Sequence, residues 1–333
     1  MTVLVTGGGG YLGTALVRRL VERGEPVRVL GRHSYPHLDP LNVEQLRGDV
    51  RNVDAVRTAV RGARAVFHVA ARVGYWGPYE DYRSVNVDGT QTVLDAARAV
   101  GVERFVYTST PSVVIGADGA VAGGDASLPY PERYLSPYGP TKAEAERRVL
   151  AANGDGMATV ALRPHFIFGP HDPQVVARVL MRAREGRLAQ IGDGTNRVDV
   201  TYLDNCVDAH VAARDALTSS DAPCAGRAYF LGQEAPVRLW DFVARILSGF
   251  GAPPVKRELS LRAAYALGAT LEGAYRLFGR DAEPPLTRMA AIMLGTDHWF
   301  DHGAAERDFG WVPRVSIEEG LERTFAAGDP TVP

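Results

Sequence analysis

Short apolar runs and longer amphipathic segments alternate along the first half of the chain. The runs are rich in valine and leucine, which is typical of buried strands. Apolar residues spaced three or four apart, as in Leu12, Leu16 and Leu20, predict helices that lay one face on a sheet. The predicted strands are 3–5, 27–30, 65–69, 105–108 and 159–162, and the predicted helices are 12–23, 53–60, 87–100 and 137–152. This alternation indicates βαβ units, so we expect an α/β fold with a doubly wound parallel sheet.

The regular alternation stops after Pro164, where prolines and glycine interrupt it. Longer helical segments follow near 173–186, 238–250 and 260–278, and they predict a smaller, mainly helical C-terminal lobe. A further strand at 200–203 and a helix at 206–217 indicate that the chain returns to the first domain in between. We therefore expect two discontinuous domains. The first comprises 1–165 plus about 198–220, and the second comprises 166–197 plus about 221–330.

Charge and cysteine content narrow the classes of function. The 37 basic and 39 acidic side chains leave a formal charge of −2 without a basic block, which argues against a nucleic-acid partner. Cys206 and Cys224 are too few for a disulfide framework and too far apart for a zinc site, so we expect no metal and a cytoplasmic protein. The N-terminal residues predict a strand and not a signal peptide, and no apolar run approaches the ~20 residues of a transmembrane segment.

Residues 6–13 read TGGGGYLG, between the first predicted strand and the first predicted helix. Gly7, Gly10 and Gly13 stand at the spacing G-x-x-G-x-x-G. Such a turn uses positive φ angles and lets a pyrophosphate approach backbone amides at a helix N-terminus, where the helix dipole favours an anion. The pattern predicts a Rossmann-type dinucleotide site that includes Tyr11 and Leu12, the alternative being a plain glycine-rich turn.

The end of the second strand predicts which dinucleotide is bound. An NAD enzyme usually places an acidic residue there against the ribose 2′-hydroxyl, but Gly31 stands at that position. Arg32 and His33 follow and could hold a 2′-phosphate, so we expect NADP(H) to be preferred over NAD(H). An ordinary solvated arginine is the alternative, and Gly31→Asp should reverse the preference. Asp49, with Val50 beside it, either accepts a hydrogen bond from the adenine amino group or caps the next helix.

Tyr138 and Lys142 lie four residues apart at the start of a predicted helix, which puts both on one face. A phenol titrates near pH ~10 and transfers protons poorly at neutral pH unless a nearby cation stabilises its anion, and Lys142 would supply that cation. Upstream, Ser109 and Thr110 follow the fifth strand at its carboxyl end, where open α/β sheets bind ligands. A hydroxyl there can hold a substrate carbonyl.

Together these motifs resemble the extended short-chain dehydrogenase/reductase superfamily over nearly the whole chain. The remaining motifs that carry the resemblance are HVAA (68–71), NVDGT (86–90), LRP (162–164), FGP (168–170) and YLDN (202–205). The C-terminal third resembles the 3β-hydroxysteroid dehydrogenase branch in PPLTR (284–288), HWFD (298–301), FGWVP (309–313) and SIEEGL (316–321). Val198 stands where nucleotide-sugar enzymes of the superfamily typically carry an arginine, which weakens that alternative.

The resemblance implies hydride transfer between nicotinamide C4 and a carbonyl carbon, with Tyr138 as general acid/base. Lys142 would lower the tyrosine pKa and contact the nicotinamide ribose. Thr110 falls at the catalytic Ser/Thr position, with Ser109 as the adjacent alternative. Asn86 would bind a water molecule and help to maintain the helix geometry; the alternative is that it caps a helix. Further cofactor contacts implied by the resemblance are Ala70, Ala71, Pro164 and Ile167.

Segments 74–79 and 107–113 look most like the bacterial reductases of 2-alkyl-3-oxoalkanoates, enzymes of olefin and β-lactone biosynthesis. The resemblance implies NADPH-dependent reduction of the 3-keto group of a long-chain, lipid-like acid. The alternatives are a steroid or other lipid-alcohol dehydrogenase, a nucleotide-sugar epimerase or dehydratase, and a non-catalytic NADP sensor.

Candidate substrate-binding residues are the aromatic Tyr75, Trp76 and Tyr79, with His165 and Arg288 as candidate partners of the carboxylate. The apolar segment 260–278 could meet a membrane surface or a partner enzyme, cover the substrate, or be a plain core helix. We also expect a homodimer.

Overall fold

The computed structural model describes residues 2–117 and 119–332. The elements of its first half are β1 (Thr2–Thr6), α1 (Tyr11–Glu22), β2 (Val27–Gly31), β3 (Glu44–Arg47), α2 (Val53–Val60), β4 (Ala63–His68), α3 (Tyr79–Arg83), α4 (Gly89–Ala99), β5 (Arg104–Thr108), β6 (Val121–Gly124), α5 (Tyr138–Ala151) and β7 (Ala158–Pro164). Short 3₁₀ turns span Pro36–Leu41 and Pro111–Val113, and a π-helical turn spans Ser84–Asp88.

The second half is more finely divided. Its elements are β8 (Ile167–Phe168), α6 (Val175–Arg184), β9 (Ala189–Ile191), β10 (Arg197–Val198), β11 (Thr201–Tyr202), α7 (Leu203–Ala216), β12 (Arg227–Leu231), β13 (Val237–Arg238), α8 (Leu239–Gly249), β14 (Arg257–Leu259), α9 (Leu261–Leu277), α10 (Arg288–Gly295), β15 (His298–Phe300), α11 (Gly303–Phe309) and α12 (Ile317–Ala326). No helix in the described parts of the chain is long and apolar enough to span a membrane.

Seven parallel strands form the large sheet in the order β12-β7-β5-β4-β1-β2-β3. The predicted doubly wound α/β fold is confirmed. The chain winds outward in both directions from β1 and β4, so the connections that follow these two strands separate and leave a crevice at their carboxyl ends. Ligands of open α/β sheets bind at such a switch point.

Alternation along the strands builds one core on each face of the sheet. Val3 and Val5 point into the core that contains side chains of α1 and α7, whereas Leu4 points into the core that contains side chains of α2 and α4. Leu16 and Leu20 are completely buried, as their helical spacing predicts. Burial of such a leucine contributes about 1.5–3 kcal/mol, so these helices are held by their apolar faces.

Two strands, β6 and β12, belong to the domain opposite to the one predicted for them. β12 hydrogen-bonds to β7 in the large sheet, although the predicted division places residues from about 221 in the smaller lobe. Its consecutive buried residues, Ala228 to Leu231, suit a strand covered on both faces. Conversely, β6 pairs with β15 in a four-stranded sheet of order β13-β10-β15-β6, although it precedes residue 165.

Candidate active site

The glycine-rich loop joins β1 to α1 at the switch point. Gly7 has a φ of 70°, and a Cβ on it would lie 2.8 Å from the backbone nitrogen of Ala70. A Cβ on Gly13 would lie 2.2 Å from the carbonyl oxygen of Gly7. Side chains at both positions are therefore excluded, and the loop keeps the N-terminus of α1 open at the crevice. This cradle fits the pyrophosphate of a dinucleotide, which backbone amides and the helix dipole would hold.

Tyr11 and Leu12 reach this cradle through their backbone. The Leu12 side chain belongs to the core beneath the sheet. The Tyr11 hydroxyl is buried beside Gly169, where an added Cβ would lie 2.9 Å from it. Because both side chains point into the protein, their contribution to a cofactor site is limited to the amides of the first helical turn.

The other predicted cofactor residues lie at the carboxyl edge of the large sheet. Ala70 and Ala71 follow β4, and the amide of Ala70 donates to Thr6 Oγ1 at 3.3 Å, beside the glycine loop. Pro164 ends β7, and Ile167 lies in β8, which pairs with β11. The fold thus forms one crevice from residues at the ends of strands that are far apart in the sequence.

At the end of β2, Arg32 and His33 are exposed. Asp49 is held by Arg51, whose Nε and Nη2 donate to the two carboxylate oxygens at 2.9 and 2.8 Å. These hydrogen bonds lower the pKa of Asp49, and the nearby Arg32 adds a smaller effect in the same direction. Val50 is buried against Gly89, so its side chain is a core residue. Asn52, and not Asp49, caps α2.

Tyr35 is a residue of this region that the sequence pattern did not single out. Its ring lies over both Gly9 of the glycine loop and Gly31 at the end of β2. Gly31 precedes Tyr35 by four residues and Gly9 precedes it by 26, and the 3₁₀ turn Pro36–Leu41 begins directly after the ring. No local signal in the sequence marks this contact.

Tyr138 and Lys142 lie in the first turns of α5, and both are buried. Lys142 Nζ donates to the carbonyl oxygen of Thr108 at 2.7 Å and lies 4.1 Å from the centre of the Tyr107 ring. Burial lowers the pKa of Lys142 to about 7, and the Glu146 carboxylate opposes this shift. The ammonium is therefore fixed at the end of β5 and titrates near neutral pH.

The pKa of Tyr138 is raised, whereas the family resemblance implies that Lys142 lowers it. Burial is the largest cause and the Tyr75 phenol the next, while the Thr110 side chain opposes them. Lys142 is not among the groups that shift the Tyr138 pKa, and its ammonium is held by the Thr108 carbonyl. At neutral pH the phenol is protonated, which is the form that can donate a proton to a carbonyl oxygen.

The two candidate hydroxyls after β5 have different environments. Thr110 caps the 3₁₀ turn Pro111–Val113, accepts the Ser112 amide at 3.2 Å and is close enough to Tyr138 to lower its pKa. The Ser109 hydroxyl is buried and has no hydrogen-bond partner in the described residues. Thr110, and not Ser109, therefore lies beside the phenol.

Asn86 lies inside the π-helical turn Ser84–Asp88 and does not cap a helix. Its side chain accepts the Arg72 amide at 2.7 Å, donates to the Arg72 carbonyl at 3.1 Å and donates to Thr141 Oγ1 at 3.1 Å. Asn86 thus ties the loop after β4 to the helix that carries Tyr138 and Lys142. A π-helical turn is frequent at functional sites.

The aromatic residues of segment 74–79 divide between the site and the surface. Tyr75 is close enough to Tyr138 to affect its pKa. Trp76 packs edge-on against Tyr275 of α9 with a ring separation of 6.3 Å, and the Arg276 guanidinium lies 5.2 Å from its ring. Tyr79 is 46% exposed. The segment therefore connects the phenols of the site with the C-terminal end of α9.

Arg288 is already paired. Its Nε and Nη2 contact Glu272 Oε2 at 2.9 and 2.8 Å, and its backbone amide donates to Glu272 Oε1 at 2.7 Å. Glu272 is buried on α9, so this pair holds α10 against α9. A substrate carboxylate would have to compete with Glu272, and the prediction that Arg288 binds it is not supported by this geometry.

His165 takes part in a buried histidine pair. Its Nε2 lies 2.6 Å from Nδ1 of His298, whose Nε2 lies 2.7 Å from the Met293 carbonyl oxygen. Because a carbonyl only accepts, neutral His298 donates from Nε2, so His165 donates from Nε2 and keeps an unprotonated Nδ1. Burial and the neighbouring His298 and His302 hold the pKa of His165 well below its usual value. A neutral ring whose free nitrogen accepts hydrogen bonds does not attract a carboxylate.

The parallel sheet, the glycine cradle and the buried tyrosine and lysine on one helix define an NAD(P)-dependent oxidoreductase of the extended short-chain dehydrogenase/reductase class. Within that class, the sequence profile of the 3-beta hydroxysteroid dehydrogenase/isomerase family matches residues 4–261, and the chain belongs to this family. The predicted superfamily and branch are confirmed.

Individual relatives cover nearly the whole chain. A 2-alkyl-3-oxoalkanoate reductase of Stenotrophomonas maltophilia (strain K279a) is 50% identical over 328 residues, which are 98% of this chain and 99% of that protein. A decarboxylating sterol-4-alpha-carboxylate 3-dehydrogenase of Mus musculus is 35% identical, covering 96% of this chain and 89% of that protein.

Solved structures agree in fold. The crystal structure of gox2253 superposes with a TM-score of 0.79 and 26% identity, covering 98% of this chain and 97% of that one. MoeE5 in complex with UDP-glucose and NAD gives a TM-score of 0.75 and 26% identity, with 98% of each chain covered.

Proposed function

We propose that this enzyme reduces the 3-keto group of a long-chain 2-alkyl-3-oxoalkanoic acid to the 3-hydroxy acid with NADPH. The observation that carries the proposal is the 50% identity to a 2-alkyl-3-oxoalkanoate reductase across 98% of this chain. The arrangement of Tyr138, Thr110 and Lys142 at the switch point supplies groups suited to that chemistry.

In the proposed reaction, Thr110 and Tyr138 hold the substrate carbonyl oxygen by hydrogen bonds. When bound, the reduced cofactor supplies a hydride to the carbonyl carbon. As the C=O bond becomes a C–O single bond, Tyr138 gives its phenolic proton to the oxygen. The proton that Tyr138 gives up is then replaced by a proton from Lys142 Nζ. Lys142 can supply it because its pKa of about 7 lets it gain and lose a proton near neutral pH.

The proposed preference for NADPH rests on charge at the ends of β2 and β3. Gly31 removes the acidic side chain that would repel a 2′-phosphate, and Arg32 and Arg47 are both exposed there. Arg47 Nε donates to the Arg32 carbonyl at 3.3 Å, so the two arginines lie at the ends of adjacent strands. Guanidinium groups suit a phosphate because they donate in a planar fork.

A lipid-like substrate fits the apolar surroundings of the site. Tyr75 and Phe166 pack against the buried cluster that contains Met289, Ile292 and Met293. Methionines and aromatic rings offer adaptable apolar contact for alkyl chains. Phe166 has a φ of 35°, a left-handed conformation unusual for a bulky residue, so its position is imposed by its surroundings.

The wider setting is proposed from the same function. The lipid-like product suits olefin or β-lactone biosynthesis in the cytoplasm, with the enzyme acting as a homodimer. On the surface of segment 260–278, Leu267, Leu277 and Phe278 are 44%, 80% and 72% exposed, which favours contact with a membrane surface or a partner enzyme.

The proposed cofactor domain comprises 1–165 and about 198–220, with β12 added and β6 transferred to the substrate lobe.

A substrate panel tests the reaction. Purified protein and NADPH are mixed with a synthetic 2-alkyl-3-keto acid or a 3-ketosteroid, and NADPH oxidation is followed at 340 nm. A UDP-sugar, which has no ketone to reduce, serves as the negative control. Faster turnover of the steroid would favour the sterol branch, to which the mouse relative belongs. Tight NADPH binding without oxidation in the presence of either keto substrate would favour a sensor and contradict the proposal.

Tyr138→Phe tests the proposed proton donor. Loss of a general acid lowers the rate by roughly 10²–10⁴-fold, so kcat should fall by at least about 100-fold. The Kd of NADPH, measured by quenching of protein fluorescence, should stay within about twofold because only one hydroxyl is removed. Undiminished turnover by this variant would contradict the assigned role.

A further inference from the structure

Gly31 leaves a space at the end of β2 that Tyr35 fills. A Cβ placed on Gly31 would lie 2.5 Å from Tyr35 Cε2 and 2.6 Å from its phenolic oxygen. A Cβ on Gly9 would lie 2.2 Å from Tyr35 Cδ1. The ring therefore requires glycine at both positions. It lies between the glycine loop and β2, where dinucleotide-binding folds place the adenosine ribose.

The position of Tyr35 is built into the fold. Gln45 of β3 accepts the Tyr35 amide at 2.9 Å and donates to the Tyr35 carbonyl at 3.2 Å. Leu38, in the following 3₁₀ turn, is completely buried, and His37 packs edge-on against the ring and lies 3.1 Å from Thr14 Oγ1. The backbone is thus held on both sides of the ring.

The phenolic oxygen is available to a ligand. Tyr35 is only partly buried, and its hydroxyl makes no hydrogen bond with another residue in the segments 2–117 and 119–332. Arg32 and Arg47 lie at the same strand ends, while Asp49 is neutralised by the two-point contact with Arg51. A neutral O–H donor among cations suits a dianionic phosphate, to which hydrogen bonds are charge-assisted and strong.

We propose that Tyr35 determines cofactor specificity by donating its phenolic hydrogen bond to the 2′-phosphate of NADP(H), from the space where an NAD enzyme carries an acidic side chain. This inference rests on the proposed NADPH preference and adds a residue to it. It also explains Gly9, which lies outside the G-x-x-G-x-x-G spacing: the glycine accommodates the Tyr35 ring.

The geometry also changes the expected effect of Gly31→Asp. The aspartate side chain would collide with the Tyr35 ring, so the single substitution should weaken binding of both cofactors and not simply reverse the preference. Removal of the ring in Gly31→Asp/Tyr35→Ala makes room for the carboxylate. We expect only the double variant to prefer NADH.

Binding of two cofactor fragments tests the proposal without a reaction. Titration calorimetry measures the Kd of adenosine 2′,5′-bisphosphate and of adenosine 5′-monophosphate for the wild type and for Tyr35→Phe, which keeps the ring and loses the hydroxyl. A hydrogen bond to a charged group contributes about 1.5–3 kcal/mol, so the bisphosphate Kd should rise by about tenfold or more. The monophosphate Kd should stay within about twofold.

Matched variants separate the explanations. Tyr265→Phe on α9 should leave both Kd values unchanged, and Arg32→Met should weaken only the bisphosphate. Equal weakening of both fragments by Tyr35→Phe, or no weakening of either, would overturn the proposal. Tighter binding of both fragments by Tyr35→Ala would identify the ring as an obstruction and also overturn it.

The wild type distinguishes failure of this inference from failure of the proposed preference. If the wild type binds the two fragments equally, the NADPH preference is wrong and the role of Tyr35 is wrong with it. If the wild type favours the bisphosphate and Tyr35→Phe favours it by the same factor, the preference stands and only the inference about Tyr35 is refuted.

Discussion

Thr110 and Ser109 are adjacent hydroxyl residues with different surroundings, which makes them a matched pair for substitution. Thr110 lies close enough to Tyr138 to lower its pKa, whereas the Ser109 hydroxyl has no hydrogen-bond partner in the described residues. Thr110→Val removes a hydrogen bond to the reacting oxygens and should lower kcat/KM by about 10–100-fold. Ser109→Ala should leave it within about twofold. Steady-state kinetics check both, and a larger loss from Ser109→Ala would exchange the two assignments.

Lys142 makes stability depend on pH. Its pKa is lowered from 10.5 to about 7 in the folded protein, so between these values the unfolded chain holds a proton that the folded chain has released. Stability rises with pH wherever the unfolded state binds more protons, by up to about 1.4 kcal/mol per pH unit for one group.

The comparison with Lys142→Met isolates this effect from the groups that do not face Lys142, because those groups titrate alike in both proteins. Urea unfolding at pH 6.5, 7.5 and 8.5 should show the wild type gaining stability relative to the variant as the pH rises. A constant difference across this range would mean that Lys142 keeps its proton in the folded state.

At the scale of elements, a buried ion pair fastens the catalytic helix α5 to β7. Arg163 Nε and Nη2 contact the two oxygens of Glu146 at 3.0 and 2.5 Å, and the Tyr130 hydroxyl donates to the same carboxylate at 2.7 Å. Both charged side chains are almost fully buried, at 2% and 0% exposure. Removal of one partner from such a pair leaves an uncompensated buried charge.

Glu146→Gln should therefore destabilise the fold by about 3–5 kcal/mol, measured as the free energy of unfolding in urea. Glu144→Gln is the control, because Glu144 lies one half-turn away on the same helix and pairs with Arg147 and Arg148 near the surface. Exposed pairs contribute about 0–1 kcal/mol. Similar losses from the two substitutions would contradict the assignment of Glu146 and Arg163 as the main clamp of α5.

For the whole molecule, cofactor binding should be visible as stabilisation of the folded state. A ligand that binds only the folded protein adds about 2.7 kcal/mol at a concentration of 100 Kd. NADPH should therefore raise the Tm more than NADH does at the same concentration, in a thermal melt followed by intrinsic fluorescence. Equal shifts would contradict the proposed preference, and Arg32→Met should reduce the NADPH shift selectively.

Local patterns along the chain were sufficient for most of the fold. The α1 spacing of Leu12, Leu16 and Leu20 and the short valine-rich runs each carry their own periodicity, so element type could be predicted residue by residue. The sheets to which β6 and β12 belong could not be predicted in this way, because strand pairing joins segments that are far apart in the sequence.

The sequence by itself determined the glycine cradle, the tyrosine–lysine spacing and the family, since each depends on residue types at short, fixed separations. Tertiary structure decided the environment of those groups. It placed Tyr35 over Gly31, paired Arg288 with Glu272 and His165 with His298, and raised the pKa of Tyr138. Desolvation and hydrogen bonding depend on neighbours from distant segments, and folding alone brings those neighbours together.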